Sequence, residues 1–473
     1  MPDQWNVVVI TSDEHNAKLM GCAGHPIIQT PALDRLAGEG TLFTKAYCAY
    51  PICAPTRQSF ITSKYPKEHG QLGNSFVFDK RNETWAHHFK KHGYTTACIG
   101  KMHTNHEDFE YGYDYRYSRG SVSEDIVRGV KANPPQEDPE DQKVYDAMSD
   151  KRPKSRFFGR VLPDGGRWEH DGIMTDESIR YFHEHKDDKF FVHISLVKPH
   201  WPWDCPEPFY HMYDPAAIDL PKAEPGELEQ NHEAHEKLYS QGWYKNTDEM
   251  NRLARARYYG SLSWMDHNVG RVLDTLDALD LTKKTLVLYF SDHGDMAGEK
   301  GLWLKALMYD SSARVPMIIR MPGVVASGAM NEVLINHVDL YPTLAGLVGA
   351  AGDLPGDLTG KDWSGAIVGG ADGPEFTFSM EGLKENWDTP PHQLMARSQR
   401  WKLIRYRVDD PAKSLVLYDM EGDPEERTNL AYRPEYKEIV GRHVEAMDRF
   451  MRGLRKPKYE MVKKSGKDGD SDD

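Results

Sequence analysis

The chain opens on Asn6-Val-Val-Val-Ile-Thr-Ser12, a β-branched apolar run that predicts a strand buried on both faces and breaks off into Asp13-Glu14-His15. Thr30-Pro31 then supplies a cap and a first-turn proline, Leu33 and Leu36 follow at helical spacing, and Gly38 and Gly40 stop a short helix. A second helix is predicted from a cap at Thr84, with Trp85 and Phe89 one turn apart and a stop at Gly93. The strand Tyr94 to Ile99 follows it, and Lys101 and His103 lie just past its end. The same grammar recurs at Phe190 to Val197, which ends in Lys198-Pro199-His200, and at Leu286 to Ser291, which ends in Asp292-His293-Gly294. Strands alternating with helices predict an α/β fold, a large mainly parallel sheet sandwiched by helices. Ligands of such sheets bind outside the carboxyl ends of the strands, so the four strand ends that carry polar or ionisable residues converge on one edge if those strands share one sheet.

Two polar stretches interrupt this alternation, Ala132 to Ser155 and Lys222 to Asn251, and read as insertions: solvated surface, or segments that shape substrate access. From Glu375 the texture changes to short strands (Glu375 to Met380, Leu394 to Ser398, Trp401 to Tyr406, Leu415 to Asp419) and a helix around Glu435 to Leu454. We therefore divide the chain into a catalytic α/β unit (1–374), a small C-terminal α+β unit with an antiparallel sheet (375–460) and a tail (461–473) whose charged, Gly/Ser-containing end reads as disordered.

Composition narrows the function. Of 473 residues, 39% are hydrophobic and 28% charged, an ordinary globular balance. The 59 basic against 73 acidic residues leave −14, which argues against nucleic-acid binding by a basic surface and requires that any attraction of an anion be local. No apolar stretch reaches the roughly 18 residues of a membrane span. Met1 to Asp13 lacks the basic head and apolar run of a secretory signal, so the expected location is cytoplasmic, away from membranes. The five cysteines (Cys22, Cys48, Cys53, Cys98, Cys205) are odd in number and never spaced as CxxC, which disfavours a disulfide framework and a zinc ribbon.

One cysteine has a special context, Cys53-Ala-Pro-Thr-Arg57. A lone cysteine is usually a small buried hydrophobe. Here Pro55 suits the first turn of a helix, which puts Cys53 at a helix N-terminus, and Arg57 adds a permanent cation with a planar donor fork. Cys-x-Pro-x-Arg resembles the signature of the formylglycine-dependent sulfatases of the alkaline-phosphatase superfamily. Thr11-Ser-Asp-Glu-His15, Gly100-Lys-Met-His103, Ser291-Asp-His-Gly294, Gly301-Leu-Trp-Leu-Lys305, Arg314-Val-Pro316, Val338-Asp-Leu-Tyr-Pro-Thr343, Leu417-Tyr-Asp419 and Asp423-Pro424 through Thr428-Asn-Leu430 are similar to family elements, in family order from Val7 to Leu430.

The resemblance implies that a formylglycine-generating enzyme converts Cys53 to formylglycine, whose hydrate attacks the sulfur of a small-molecule sulfate ester. It also implies one divalent metal held by Asp13, Glu14, residue 53, Asp292 and His293, Glu14 standing where the family often has Asp. Mainly oxygen donors suit Ca2+, and the imidazole makes Mn2+ a rival. Arg57 would help activate the nucleophile, Lys101 and Lys305 would grip the sulfate oxygens, His103 would take a proton from residue 53, and His200 would assist the leaving group. Asn74 is a further substrate-binding candidate.

Within the family the chain looks most like the choline-sulfatase and phosphonate-monoester-hydrolase branch, which leaves phosphonate monoester or phosphodiester hydrolysis as the alternative activity. Trp201, Trp203 and Trp303 are candidates for an aromatic cage around a quaternary ammonium, or for packing residues. A homo-oligomer is left open.

Overall fold

The computed structural model describes residues 4–104, 110–118, 121, 134–146, 158–167, 169–221, 247–408 and 413–463. Its main sheet has eight strands: β1 (Asn6–Asp13), β2 (Thr41–Phe43), β3 (Thr95–Gly100), β4 (Tyr115–Tyr117), β5 (Phe190–Pro199), β6 (Thr285–Ser291), β7 (Met317–Arg320) and β8 (Ala329–Asn331). They lie in the order β8-β2-β7-β6-β1-β5-β3-β4, and among the described residues only β7 runs against its neighbours. β1 is central, paired in parallel with β6 (Val7 opposite Leu286) and with β5 (Val7 opposite Phe191).

The helices explain why β1 reads as a continuous apolar run. Val8 and Ile10 face a core shared with α1 (Pro31–Glu39), α4 (Pro139–Asp146), α5 (His170–His185) and α6 (Asp248–Ala278). Val7 and Val9 face the opposite core, shared with α2 (Cys53–Thr62), α3 (Trp85–Lys91) and α7 (Leu340–Leu347). A strand covered on both faces needs apolar residues at successive positions, not at alternate ones.

Capping differs in part from expectation. Thr84 does precede α3, but the Thr30 hydroxyl accepts from Gly21 (2.9 Å) and donates to Asp34 (3.1 Å). The first-turn N–H groups of α1, from Ala32 and Leu33, donate to the Asp266 carboxylate on α6 at 3.0 and 2.8 Å. A carboxylate can take two donors at once and puts negative charge at a helix N-terminus.

A second sheet, antiparallel, consists of β9 (Thr377–Glu381), β10 (Gln393–Arg397), β11 (Trp401–Tyr406) and β12 (Leu415–Asp419), within two residues of the expected strands. Helix α8 (Lys437–Gly453) covers one face through Met447, against Leu394, Leu403 and Leu417. The other face, with Met395, Ile404 and Val416, merges into the core of the main sheet. This second face brings β10 and β11 close to the edge where the strands of the main sheet end.

Of the two expected insertions, most of Lys222 to Asn251 lies outside the described residues, which resume at the start of α6. The described part of Ala132 to Ser155 includes α4, whose buried Asp141 accepts from Arg257 (2.8 Å) and from the Tyr210 hydroxyl (2.7 Å). The tail beyond residue 463 also falls outside the described residues. Among those described, no helix is long and apolar enough to cross a membrane.

Candidate active site

The four strands whose ends carry ionisable residues, β6, β1, β5 and β3, are consecutive neighbours in the sheet. Their carboxyl ends present Asp292 and His293, Asp13 and Glu14, His200, and Lys101 and His103 side by side. Helix α2 starts at this edge with Cys53 as its first residue, and the Asn74 Oδ1 accepts the N–H of Ala54 at 3.1 Å. Asn74 thus closes the start of the helix that presents Cys53.

Arg57, one turn into α2, is 2% exposed and ties the ends together. Its guanidinium donates to Asp292 Oδ2 (2.9 Å), Asp13 Oδ2 (3.1 Å), Ser195 Oγ (2.7 Å) and the Lys101 carbonyl (2.9 Å). Ser195 went unnoticed in the sequence, because a serine inside an apolar strand carries no signal of its own. With Arg57 on the two Oδ2 atoms, Asp13, Cys53, Asp292 and His293 have ligand atoms within 4.8 Å of one another. The His293 Nδ1–H donates to the Gly294 carbonyl (3.0 Å), so Nε2 turns its lone pair inward, 3.1 Å from Cys53 Sγ. Two carboxylates, an imidazole nitrogen and the residue-53 side chain make a four-donor set able to hold a divalent cation.

Glu14 is placed differently. It groups with Asp13 and His200 rather than with the four-residue set, and its Oε2 lies 3.2 Å from Lys305 Nζ and 3.4 Å from His200 Nε2. Burial pushes its carboxyl up to about 8. Lys101 pairs with Asp13 Oδ2 at 2.9 Å, and Lys305 reaches Cys53 Sγ at 3.4 Å and His200 Nε2 at 2.8 Å. Burial raises the Asp13 carboxyl, but the permanent charges of Lys101, Arg57 and Lys305 outweigh it and hold the group well below the usual range. Burial also drives His103 and His200 well below the usual imidazole value, helped by Lys101 and by Lys305 respectively, so both rings are neutral at pH 7. The His200 Nδ1–H donates to the Trp201 carbonyl (2.5 Å), leaving Nε2 to accept from Lys305, while the buried His103 Nδ1 has no hydrogen-bond partner. The Cys53 thiol is pushed up by burial and then by Asp13, so as a cysteine it stays protonated.

Backbone strain gathers here. Glu14, His103, Leu304 and Ala306 adopt φ of 68°, 59°, 67° and 73°, a left-handed region that residues with a Cβ seldom occupy outside functional sites. The three tryptophans divide. Trp203 and Trp303 are buried 5.3 Å apart in the core beside Tyr258, whereas Trp201 stacks on His200 with ring centroids 5.8 Å apart. All five cysteines are free thiols. A second potential chelate, His88, His92 and Asp353, is already bonded internally, His92 to Asp353 (2.6 Å) and His88 to the Ala350 carbonyl (2.7 Å).

A mainly parallel sheet with this charge cluster at its strand ends has the alkaline-phosphatase-like fold, and comparison with known proteins supplies the family. The family model for Sulfatase matches residues 5–350, and one for the C-terminal part of N-sulphoglucosamine sulphohydrolase matches residues 298–452. The choline-sulfatase of Rhizobium meliloti is 28% identical over 91% of this chain and 83% of its own length. The arylsulfatase of Clostridium perfringens is 28% identical over 92% of each chain. Among solved structures, the phosphonate monoester hydrolase of Silicibacter pomeroyi superposes with a TM-score of 0.79 at 24% identity, over 96% of each chain, a likeness of fold. The chain belongs to the sulfatase family, whose curated members matched here are sulfuric ester hydrolases.

Proposed function

We propose that the protein hydrolyses a sulfate ester to an alcohol or phenol plus inorganic sulfate, with residue 53, converted from cysteine to formylglycine, as nucleophile. The observation that carries this reading is the meeting, around Cys53 Sγ, of a four-donor group, two lysine ammoniums and two neutral imidazoles at one sheet edge. Asp13, Asp292, His293 and residue 53 would hold one calcium or manganese ion, with Glu14 at its margin; when bound, it supplies a Lewis acid that makes an oxygen on residue 53 more nucleophilic.

Each side chain then has a task. Arg57 fixes the two aspartates through their Oδ2 atoms. Lys101 and Lys305 place permanent positive charge where a sulfate's oxygens sit, supplying locally what the net charge of −14 withholds. His200, held by the Trp201 carbonyl, presents Nε2 beside Lys305 towards the departing oxygen, and His103, neutral and half-buried, accepts a proton from residue 53. Asn74 orders the start of α2 and contacts substrate. Catalysis is assigned to residues 1–374 with the C-terminal unit (375–460) as support, the maturing partner is a formylglycine-generating enzyme, and the compartment is the cytoplasm.

The test is a mass spectrum of the tryptic peptide 46–57 from protein made with a formylglycine-generating enzyme, beside parallel assays on an aryl sulfate, an aryl phosphonate and a phosphodiester. We expect an aldehyde at residue 53, the highest kcat/KM on the sulfate, and a loss of roughly 10⁴-fold or more in Cys53→Ala. A sulfatase whose residue 53 remains a thiol would overturn the mechanism. A higher kcat/KM on the phosphonate would overturn the substrate class.

A further inference from the structure

Lys305 sits on a segment without regular structure, between the turn Glu299–Gly301 and the short helix Asp310–Ala313, yet its ammonium reaches three groups of the site. The residues on either side of it, Leu304 and Ala306, are both left-handed, at φ 67° and 73°. Such a backbone persists only where its surroundings hold it in place.

Three hydrogen bonds do so. The Met296 N–H donates to the Leu304 carbonyl (2.7 Å), and the Ala306 N–H donates to the carbonyl of Pro51, two residues before Cys53 (3.0 Å). The third comes from the other sheet: Gln393 Nε2, on β10, donates to the Ala306 carbonyl at 2.9 Å. Gln393 is 1% exposed, and the same Nε2 donates to Glu381 Oε2 at 3.0 Å, across its register pair in β9. One buried amide therefore joins the Ala306 carbonyl, next to Lys305, to Glu381 of the C-terminal sheet, while Pro51 fastens the Ala306 N–H to the start of the nucleophile's helix.

We propose that Gln393 is a positioning residue for Lys305, so that the C-terminal sheet takes part in setting the distance between that ammonium and residue 53. This rests on the sulfatase reading given above. Gln393 touches no reacting atom; it acts through the Ala306 peptide.

The experiment is a double-mutant cycle of Gln393→Leu and Lys305→Ala, with kcat/KM on an aryl sulfate normalised to formylglycine content. Gln393→Leu should lower kcat/KM about 10-fold, since a displacement of about 1 Å in a catalytic group is costly. In the Lys305→Ala background the further loss should stay within about 2-fold, because the two residues act as one unit. Equal losses in both backgrounds, or no loss from Gln393→Leu alone, overturn the proposal. Hydrogen exchange on the same proteins gives a readout independent of turnover. Peptides covering 302–309 should exchange roughly 5-fold faster in Gln393→Leu while β1 and β5 stay unchanged; unchanged exchange over 302–309 overturns the proposal. If the wild type hydrolyses no sulfate ester, the functional reading fails, and the exchange alone decides the role of Gln393. Should Gln393→Leu not fold, Gln393→Met keeps the chain length and removes the donor.

Discussion

Two clusters of buried charge lie on either side of the segment 304–310, and they are built to opposite ends. In one, Lys402 Nζ is bonded to Asp310, to Glu426 Oε1 (2.7 Å) and to the Met308 carbonyl (3.2 Å). Asp310 accepts as well from the Tyr47 hydroxyl (3.0 Å) and forms an ion pair with Arg314 (3.1 Å), and its own N–H goes to Glu426 Oε2 (2.7 Å). The three N–H groups of the ammonium and both oxygens of each carboxylate are thus taken up within the protein. In the other, around Cys53, the donor atoms of Asp13, Asp292 and His293 face one another across a common point, and the His103 Nδ1 is buried without a partner. Buried charge alone does not mark an active site. What marks it is that carboxylate, imidazole, thiol and ammonium groups from several strand ends converge on one small volume, with the His103 Nδ1 left without a partner.

The distinction has measurable consequences. Lys402→Met leaves two carboxylates buried without their cation, so it should cost about 3–5 kcal/mol of folding free energy. Urea unfolding at pH 7 checks this, and a loss below about 1 kcal/mol, the level of a surface pair, would break the contrast. Lys101→Ala should instead lower kcat on an aryl sulfate roughly 10²–10³-fold, as expected for removal of a preorganised charge. It should destabilise less than Lys402→Met, because Asp13 keeps Arg57 at 3.1 Å. Steady-state kinetics beside unfolding curves separate the two outcomes.

A third effect concerns buried groups that carry no charge. His69 and His193 are drawn down to about 3 by burial, so both stay neutral in the folded protein. Below about pH 6.5 the unfolded chain protonates them and the folded one does not, so their contribution is complete above that pH and is lost as pH falls towards 3. Each should remove about 1.4 kcal/mol per pH unit in that window. Unfolding free energies at pH 6, 5 and 4 should fall less steeply in His193→Gln than in the wild type, by one proton; an identical slope would count against the assignment.

Much of this arrangement was legible in the sequence, for a physical reason. Strands covered on both faces must be written as apolar β-branched runs, so their ends stand out, and Asp13, Lys101, His200 and Asp292 follow such runs directly. The same signal gave the strands of the second sheet within two residues. Partnerships were less legible, because a side chain's partner is chosen by the packed fold. Glu14 turns to Lys305 and His200, Thr30 gives up the cap of α1 to Asp266, and Gln393 meets a carbonyl 87 residues away. Trp203 and Trp303 lie near the site in sequence but belong to the core.

The central position of β1 also bears on how the molecule comes into being. One neighbour, β5, lies some two fifths of the way along the chain, and the other, β6, ends at Ser291. During synthesis the first apolar strand to leave the ribosome therefore waits until residue 291 has been made before it can gain both of its partners. Non-local pairing of this kind makes for slow folding, and a strand with open edges is an aggregation hazard while it waits. A chain that stops short of Thr285 would be left with an apolar first strand lacking one of its two parallel neighbours, sticky as well as inert.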